Sequence, residues 1–365
     1  MSSPDASRSL AGSTRPAAER RGRGATANPD GRYEAARREA FDDGWDHEDA
    51  APRLRTEVTP EHARTILTRN ASPDIPFDRS INPYRGCEHG CVYCFARPNH
   101  AYVGLSPGLD FETKLFTKPN AAALLERELS ARGYRPRTIA LGTATDPYQP
   151  IEREHRITRG VLEVLARFRH PVGIVTKSNL VTRDIDILAE MATRNLVKVA
   201  ISVTTLDPVL ARRMEPRAPH PDKRLEAIRK LSAAGIPVMV IAAPIIPALN
   251  DHEIEAILAR ARECGAGEAN YVLLRLPHEL DDLVSDWLGA HYPGRRRHVL
   301  SLVREARGGK AYDAEWGRRM TGAGHYAGLI ADRFRLAKRR LGYPNERVEL
   351  HCEQFAPPSA RCALF

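Results

Sequence analysis

The sequence predicts an α/β protein: a parallel sheet with crossover helices, led by a disordered tail and followed by a mainly helical extension. Three observations predict it. From about residue 80 onward, short β-branched runs alternate with amphipathic stretches, the signature of repeated β/α units. A chain of 365 residues suits one large α/β barrel or two ordinary domains. With 42% apolar and 28% charged residues, it has the composition of a globular protein with a sizeable core.

Residues 1–51 are the predicted disordered tail, rich in Ser, Ala, Gly, Arg and Asp and without apolar periodicity. Within it, 37–45 has the pattern of a short helix that docks through Phe41 and Trp45. The barrel region, 52–277, begins with a lead-in to an opening strand near Ile81 and a helix over 120–132. Four strand and helix pairs follow: 139–141 with 158–169, 172–175 with 184–194, 197–203 with 222–234, and 238–243 with 251–264. A strand at 271–274 closes the series. About six such units either curl into a partial barrel or lie open as a doubly wound sheet, and both arrangements put ligands at the C-terminal strand ends. Residues 278–365 read as helices with loops to about 341, ending in a strand-like VELHCEQF segment, together a cap for the open side of the sheet. No internal repeat of solenoid length is present.

No stretch approaches the eighteen or so apolar residues of a membrane span, and no apolar segment follows Arg20 and Arg21, so the chain reads as soluble and cytoplasmic. The net charge of +9 is unevenly spread. Residues 291–340 hold thirteen Lys or Arg against four Asp or Glu, which makes this segment a candidate contact for a polyanion, with a solvated helical face as the alternative. Its rings, Tyr292, Tyr312, Trp316, Tyr326 and Phe334, suit base stacking or a cap core, and the core reading is preferred for Trp316 and Phe334.

Three of the six cysteines, Cys87, Cys91 and Cys94, fall within eight residues, a metal-binding cluster rather than a disulfide framework. The C-x3-C-x2-C run sits on a Gly-rich loop just after the first strand. Three thiolates can hold three irons of a four-iron cube and leave one open, or they can hold zinc together with His89 or Cys352.

The segment CEHGCVYC, with Tyr93 before the third cysteine, resembles the cluster loop of the radical S-adenosylmethionine (SAM) superfamily. The order SINPYRGCEHGCVYCFARP, TDPYQP, VTKSNLVTRDIDIL resembles the branch of spore photoproduct lyase and its DNA repair photolyase-like relatives, over roughly residues 80–275. The resemblance implies a partial (β/α)6 barrel of TIM type. It also implies a 4Fe-4S cluster on Cys87, Cys91 and Cys94, with SAM chelated to the open iron and cleaved reductively to a 5′-deoxyadenosyl radical. An external electron donor such as a flavodoxin or ferredoxin is implied too.

Carried over by position, Tyr93 belongs to the cofactor-binding set, and Thr145 and Asp146 stand where the methionine amino group is met. Lys177 stands where the methionine carboxylate is contacted, and Ser202 and Thr204 face the ribose. Glu215 and Asn250-Asp251 are weaker candidates, the latter readable as a helix cap. Photoproduct lyases return hydrogen through a second-strand cysteine and a tyrosine after the third cluster cysteine. Here Phe95 follows Cys94 and no cysteine lies between Thr138 and Asp146, so repair of spore photoproduct is not expected. Cys352 is a candidate replacement hydrogen donor if the tail folds over the barrel mouth, and a small buried residue otherwise. The expected activity is hydrogen abstraction from a substrate that includes nucleic acid among its candidates. The competing class is a zinc-stabilised nucleic-acid-binding protein.

Overall fold

The computed structural model describes residues 22–33 and 54–358. The strands among them are β1 (Glu57–Pro60), β2 (Thr68–Arg69), β3 (Arg79–Ile81), β4 (Tyr84–Arg85), β5 (Lys114–Thr117), β6 (Ile139–Leu141), β7 (Val172–Thr176), β8 (Val197–Ser202), β9 (Val238–Ile245) and β10 (Glu268–Leu273). The main sheet runs in the order β10-β9-β8-β7-β6-β3-β2, with every pair parallel except the β2 edge. Strand order follows the chain, and a helix lies on each crossover. A doubly wound sheet reverses at a switch point; this one does not, so it curls as a partial (β/α)6 barrel of TIM type.

Periodicity explains the strands. The VGIVT sequence of β7 alternates buried and half-buried residues, and pairing sets Ile174 beside Val199 and Ile201 beside Val240, so β-branched side chains pack across neighbouring strands. The crossover helices lay one apolar face on the sheet: Val161, Leu162 and Leu165 from Ile157–Arg167, and Leu225, Ile228 and Leu231 from Pro221–Ala233. Each such side chain contributes about 1.5–3 kcal/mol on burial.

A second sheet, in the order β1-β5-β4, lies outside the expected units. Its strands have two to four residues, too short for an alternation to stand out in the sequence, and β1 is mostly exposed. It matters because β4 leads directly into the cysteine loop.

The helical cap comprises Leu280–His291, Arg296–Glu305 and His325–Arg340. Trp287, Val299, Leu300 and Val303 form a core that continues through Met214 and Leu274 to Cys91, Val92 and Tyr93, so the cap supports the cysteine loop. Phe334 is buried and its ring lies 4.7 Å from that of Tyr271. Trp316, expected in the core, is 59% exposed instead: it lies in an irregular stretch between helices, where helical spacing has no packing meaning.

Two further expectations need correction. Residues 22–33, assigned to the disordered tail, are seated on the body: Glu112 accepts the amides of Gly24 at 2.9 Å and Ala25 at 2.8 Å, and Ala25 is buried. An extended segment held by a buried carboxylate leaves no periodic trace. The rest of the predicted tail, with the 37–45 helix, lies outside the described residues, as does Cys362. VELHCEQF is not a strand. It crosses the barrel floor, where His351 donates its amide to Asn195 at 3.0 Å and Ala356 donates to Phe168 at 3.1 Å, just before β8 and β7. Among the described residues no helix is long and apolar enough to cross a membrane.

Candidate functional site

The cysteine loop begins at Gly86, whose φ of +75° is open to glycine and whose Cβ, were there one, would meet the Phe111 carbonyl oxygen at 2.9 Å. The chain can therefore turn sharply from β4 into Cys87, whose amide donates to the Phe111 carbonyl at 3.0 Å. Arg97, fully buried, holds the loop from behind. Its guanidinium donates to the carbonyls of Cys91 (2.8 Å), Gly90 (3.1 Å), Pro107 (3.1 Å) and Gly108 (2.7 Å), and it pairs with Glu112. Glu112 in turn holds Gly24 and Ala25, where a Cβ on Gly24 would lie 1.8 Å from the Gly90 carbonyl oxygen. The N-terminal segment thus lies directly on the loop.

Cys87 and Cys91 are buried, Cys94 is half-buried, and all three thiols are free. Burial pushes all three pKa values up, with Asp146 adding to the effect on Cys87 and Glu215 on Cys91. Such thiols ionise readily only when bound cations supply the compensating charge, which is what iron provides. Among the described residues no three His, Cys, Asp or Glu side chains converge tightly enough to hold a single metal ion. Three free thiols on one loop, with a fourth position left open, are the donor chemistry that a 4Fe-4S cube takes.

The tips of β6 to β9 bring the other candidates beside this loop. Lys177, just past β7, donates from Nζ to Ser202 at 2.7 Å and Thr204 at 3.2 Å, and lies 3.2 Å from Glu215. Its ammonium lies 5.4 Å from the centre of the Tyr93 ring. Burial draws its pKa down to about 8, with Cys91 opposing the shift and Arg224 adding to it. Tyr93 donates its hydroxyl to Glu215 and lies 3.2 Å from the Thr204 hydroxyl. The second oxygen of Glu215 pairs with the buried Arg224. Lys177, Ser202, Thr204 and Tyr93 therefore form one cluster, with Glu215 at its centre.

Thr145 and Asp146 sit to one side and brace. Thr145 donates to the Gly86 carbonyl at 2.6 Å. Asp146 accepts from the Thr176 hydroxyl at 2.6 Å and the Lys177 amide at 2.8 Å, and it faces His89 Nδ1 at 3.3 Å. Burial pushes its pKa up, but His89 and these hydrogen bonds outweigh it and hold Asp146 below the usual carboxylate value. Both residues tie the cysteine loop to the strand tips. Asn250, read as a helix cap, instead donates to the Thr204 and Pro244 carbonyls at 2.8 and 3.0 Å, joining the tips of β8 and β9.

A family model described as the radical SAM superfamily matches residues 81–261. An uncharacterised protein of Mycobacterium tuberculosis is 38% identical over 233 residues, 63% of this chain and 67% of that one. The chain belongs to the radical SAM superfamily. It is therefore an enzyme of the radical SAM class, whose cofactors are a 4Fe-4S cluster and SAM. An uncharacterised protein of Methanocaldococcus jannaschii is 30% identical over 173 residues, 47% of this chain and 62% of its own. Spore photoproduct lyase complexed with dinucleoside spore photoproduct aligns with a TM-score of 0.54 and 17% identity, over 78% of this chain and 79% of that one. A mutant of that lyase with bound AdoMet and dinucleoside spore photoproduct gives 0.55 and 16% over the same shares. At these identities the likeness is one of fold.

Among the residues of this radical SAM protein that the sequence reading underrated, Glu215 is foremost. It lies between strands in a Glu-Pro turn, and its centrality depends on partners far away in sequence. Arg97, Glu112 and Arg224 went unnoticed because a buried ion pair carries no local pattern. Arg275, just past β10, was missed too: its guanidinium carbon lies over the Phe95 ring, 4.2 Å from the centroid. Cys352 is not brought to the site. It follows His351 on the barrel floor, at the opposite end of the strands from the cysteine loop. The expectation that it donates hydrogen therefore fails on position.

Proposed function

We propose that Cys87, Cys91 and Cys94 hold the 4Fe-4S cluster and that Lys177 receives the SAM carboxylate, with Ser202 and Thr204 toward the ribose. The observation that carries this reading is the convergence of Lys177, Ser202, Thr204 and Tyr93 at the strand tips beside the cysteine loop of a radical SAM barrel. When bound, a cluster reduced by an external donor would pass one electron to the sulfonium of SAM and so supply the hydrogen-abstracting chemistry of the superfamily. The chain's own residues bind, orient and exclude water. Lys177 offers a localised cation on a hydroxyl-lined floor, and Glu215 keeps that cation in place between Tyr93 and Thr204. Thr145, Asp146 and Arg97 hold the loop from which the cysteines project.

The substrate we infer is nucleic acid. Supporting it are the net positive segment 291–340, carried on the cap, and the fold shared with a lyase solved with a dinucleoside. Phe95 has no hydroxyl to donate and Cys352 lies on the far side, so the chemistry differs from spore photoproduct repair. The electron comes from an external donor of the flavodoxin or ferredoxin kind. Anaerobic reconstitution with iron and sulfide, reduction and chromatography test the reading. Formation of 5′-deoxyadenosine supports it, whereas stoichiometric zinc with no cofactor cleavage refutes it.

A further inference from the structure

Several arginines near the barrel mouth are already held by partners. Arg97 is saturated by carbonyls and Glu112, Arg319 pairs with Asp74 at 2.5 Å, and Arg307 donates to the Leu273 and Leu274 carbonyls at 3.0 Å each. Arg275, half-buried at the tip of β10, is different: among the described residues its guanidinium enters no hydrogen bond or ion pair and has only the Phe95 ring beneath it. Arg275 is only half-buried and its donors still reach solvent, so the stacked guanidinium keeps a hydrogen-bonding edge open to an anion arriving at the mouth. The surrounding charge favours one. Arg275, Arg307 and Arg319 are three neighbouring cations against the two carboxylates of Asp74 and Asp313. Phe95 follows the third cluster cysteine and is 46% exposed, so the pair stands beside the reacting centre with an open ring edge.

We propose that Arg275, stacked on Phe95, is the substrate-binding residue that receives an anionic group, phosphate or carboxylate, next to the position where hydrogen is removed. The inference rests on the proposed cluster site only for the second half of that statement. Stacking leaves the guanidinium edge free, and that edge suits a planar or tetrahedral oxyanion through two parallel hydrogen bonds. The basic cap surface would gather a polyanion; Arg275 would then place one anionic group at the mouth.

The test is anaerobic titration calorimetry of the reconstituted, SAM-loaded protein with phenyl phosphate, benzoate and benzyl alcohol, comparing wild type with R275Q and R275K. The clamp predicts that at least one anion binds wild type, that R275Q weakens it about tenfold or more, and that R275K retains part of the affinity. Benzyl alcohol, with a ring and no charge, should not separate the three proteins. Loss confined to phenyl phosphate identifies a phosphate site, and loss confined to benzoate a carboxylate site. Two results overturn the proposal: neither anion binds wild type, or R275Q binds as tightly as wild type. Cluster absorbance and SAM binding, measured on the same samples, should be equal in wild type and R275Q. Should wild type itself fail to bind SAM, the cluster reading fails, and the same anion titration without SAM still decides whether Arg275 holds an anion.

Discussion

Lys177, at the tip of β7, and Glu215, at the C-terminal end of the helix Pro208–Met214 that follows β8, face each other across 3.2 Å, and Glu215 also holds the buried Arg224. One carboxylate thus fixes both the ammonium offered to a cofactor and the helix behind it. Removing one partner of a buried pair leaves a charge without compensation. Glu215→Gln should therefore lower unfolding stability by about 3–5 kcal/mol. Arg224→Met should cost a similar amount, and the double variant less than their sum. Urea unfolding of the three variants checks this; strict additivity would mean that the two side chains are not coupled.

Lys177→Ala separates cofactor binding from cluster binding. The variant should keep the iron-sulfur absorbance and bind SAM about 10–100-fold more weakly, the loss of a charge-assisted hydrogen bond. Cys91→Ala should lose the cluster itself. Full absorbance in Cys91→Ala would contradict the ligand assignment.

Gly24→Ala tests the contact between the N-terminal segment and the cysteine loop. A methyl group 1.8 Å from the Gly90 carbonyl oxygen cannot be accommodated, so the segment should lift away and free the backbone-holding oxygens of Glu112. We expect less iron retained after desalting and new proteolytic cleavage near residue 24. Iron retention equal to wild type would show that the segment lies on the loop without supporting it.

This contact also marks how far the sequence could be read. The six parallel strands and their helices were legible because β-branched runs and amphipathic faces repeat. The cysteine loop was legible because its spacing is local. Glu112 and Gly24 are 88 residues apart, and Arg275 and Phe95 meet only once the barrel has curled, so neither pairing leaves a signature along the chain. Periodicity also misplaced Trp316, which is exposed in an irregular stretch, and read as a strand VELHCEQF, which is held by the chain just before β8 and β7 rather than by a sheet edge.

His170 gives a pH dependence. Its ring lies on the barrel floor, 3.0 Å from the Pro171 carbonyl at Nδ1 and 2.8 Å from the Tyr134 hydroxyl at Nε2, contacts that a neutral ring protonated at Nδ1 satisfies. Burial draws its pKa down to about 4. Between that value and the ordinary 6.5 the unfolded chain binds a proton that the native protein does not. Stability should therefore fall as pH drops through this window, by about 1.4 kcal/mol per pH unit from this group. His100, drawn down to about 4 by burial, acts in the same direction. His170→Asn should show a shallower loss of urea midpoint between pH 7 and pH 5; an unchanged slope would remove His170 from the account.

The most direct test of the central claim is electron paramagnetic resonance of the reconstituted, reduced protein with and without SAM. The account predicts a reduced 4Fe-4S signal that SAM perturbs in wild type, that persists in Lys177→Ala but is perturbed only at about 10–100-fold higher SAM, and that is absent in Cys91→Ala. A cluster signal indifferent to SAM in wild type, or no cluster at all, would contradict it.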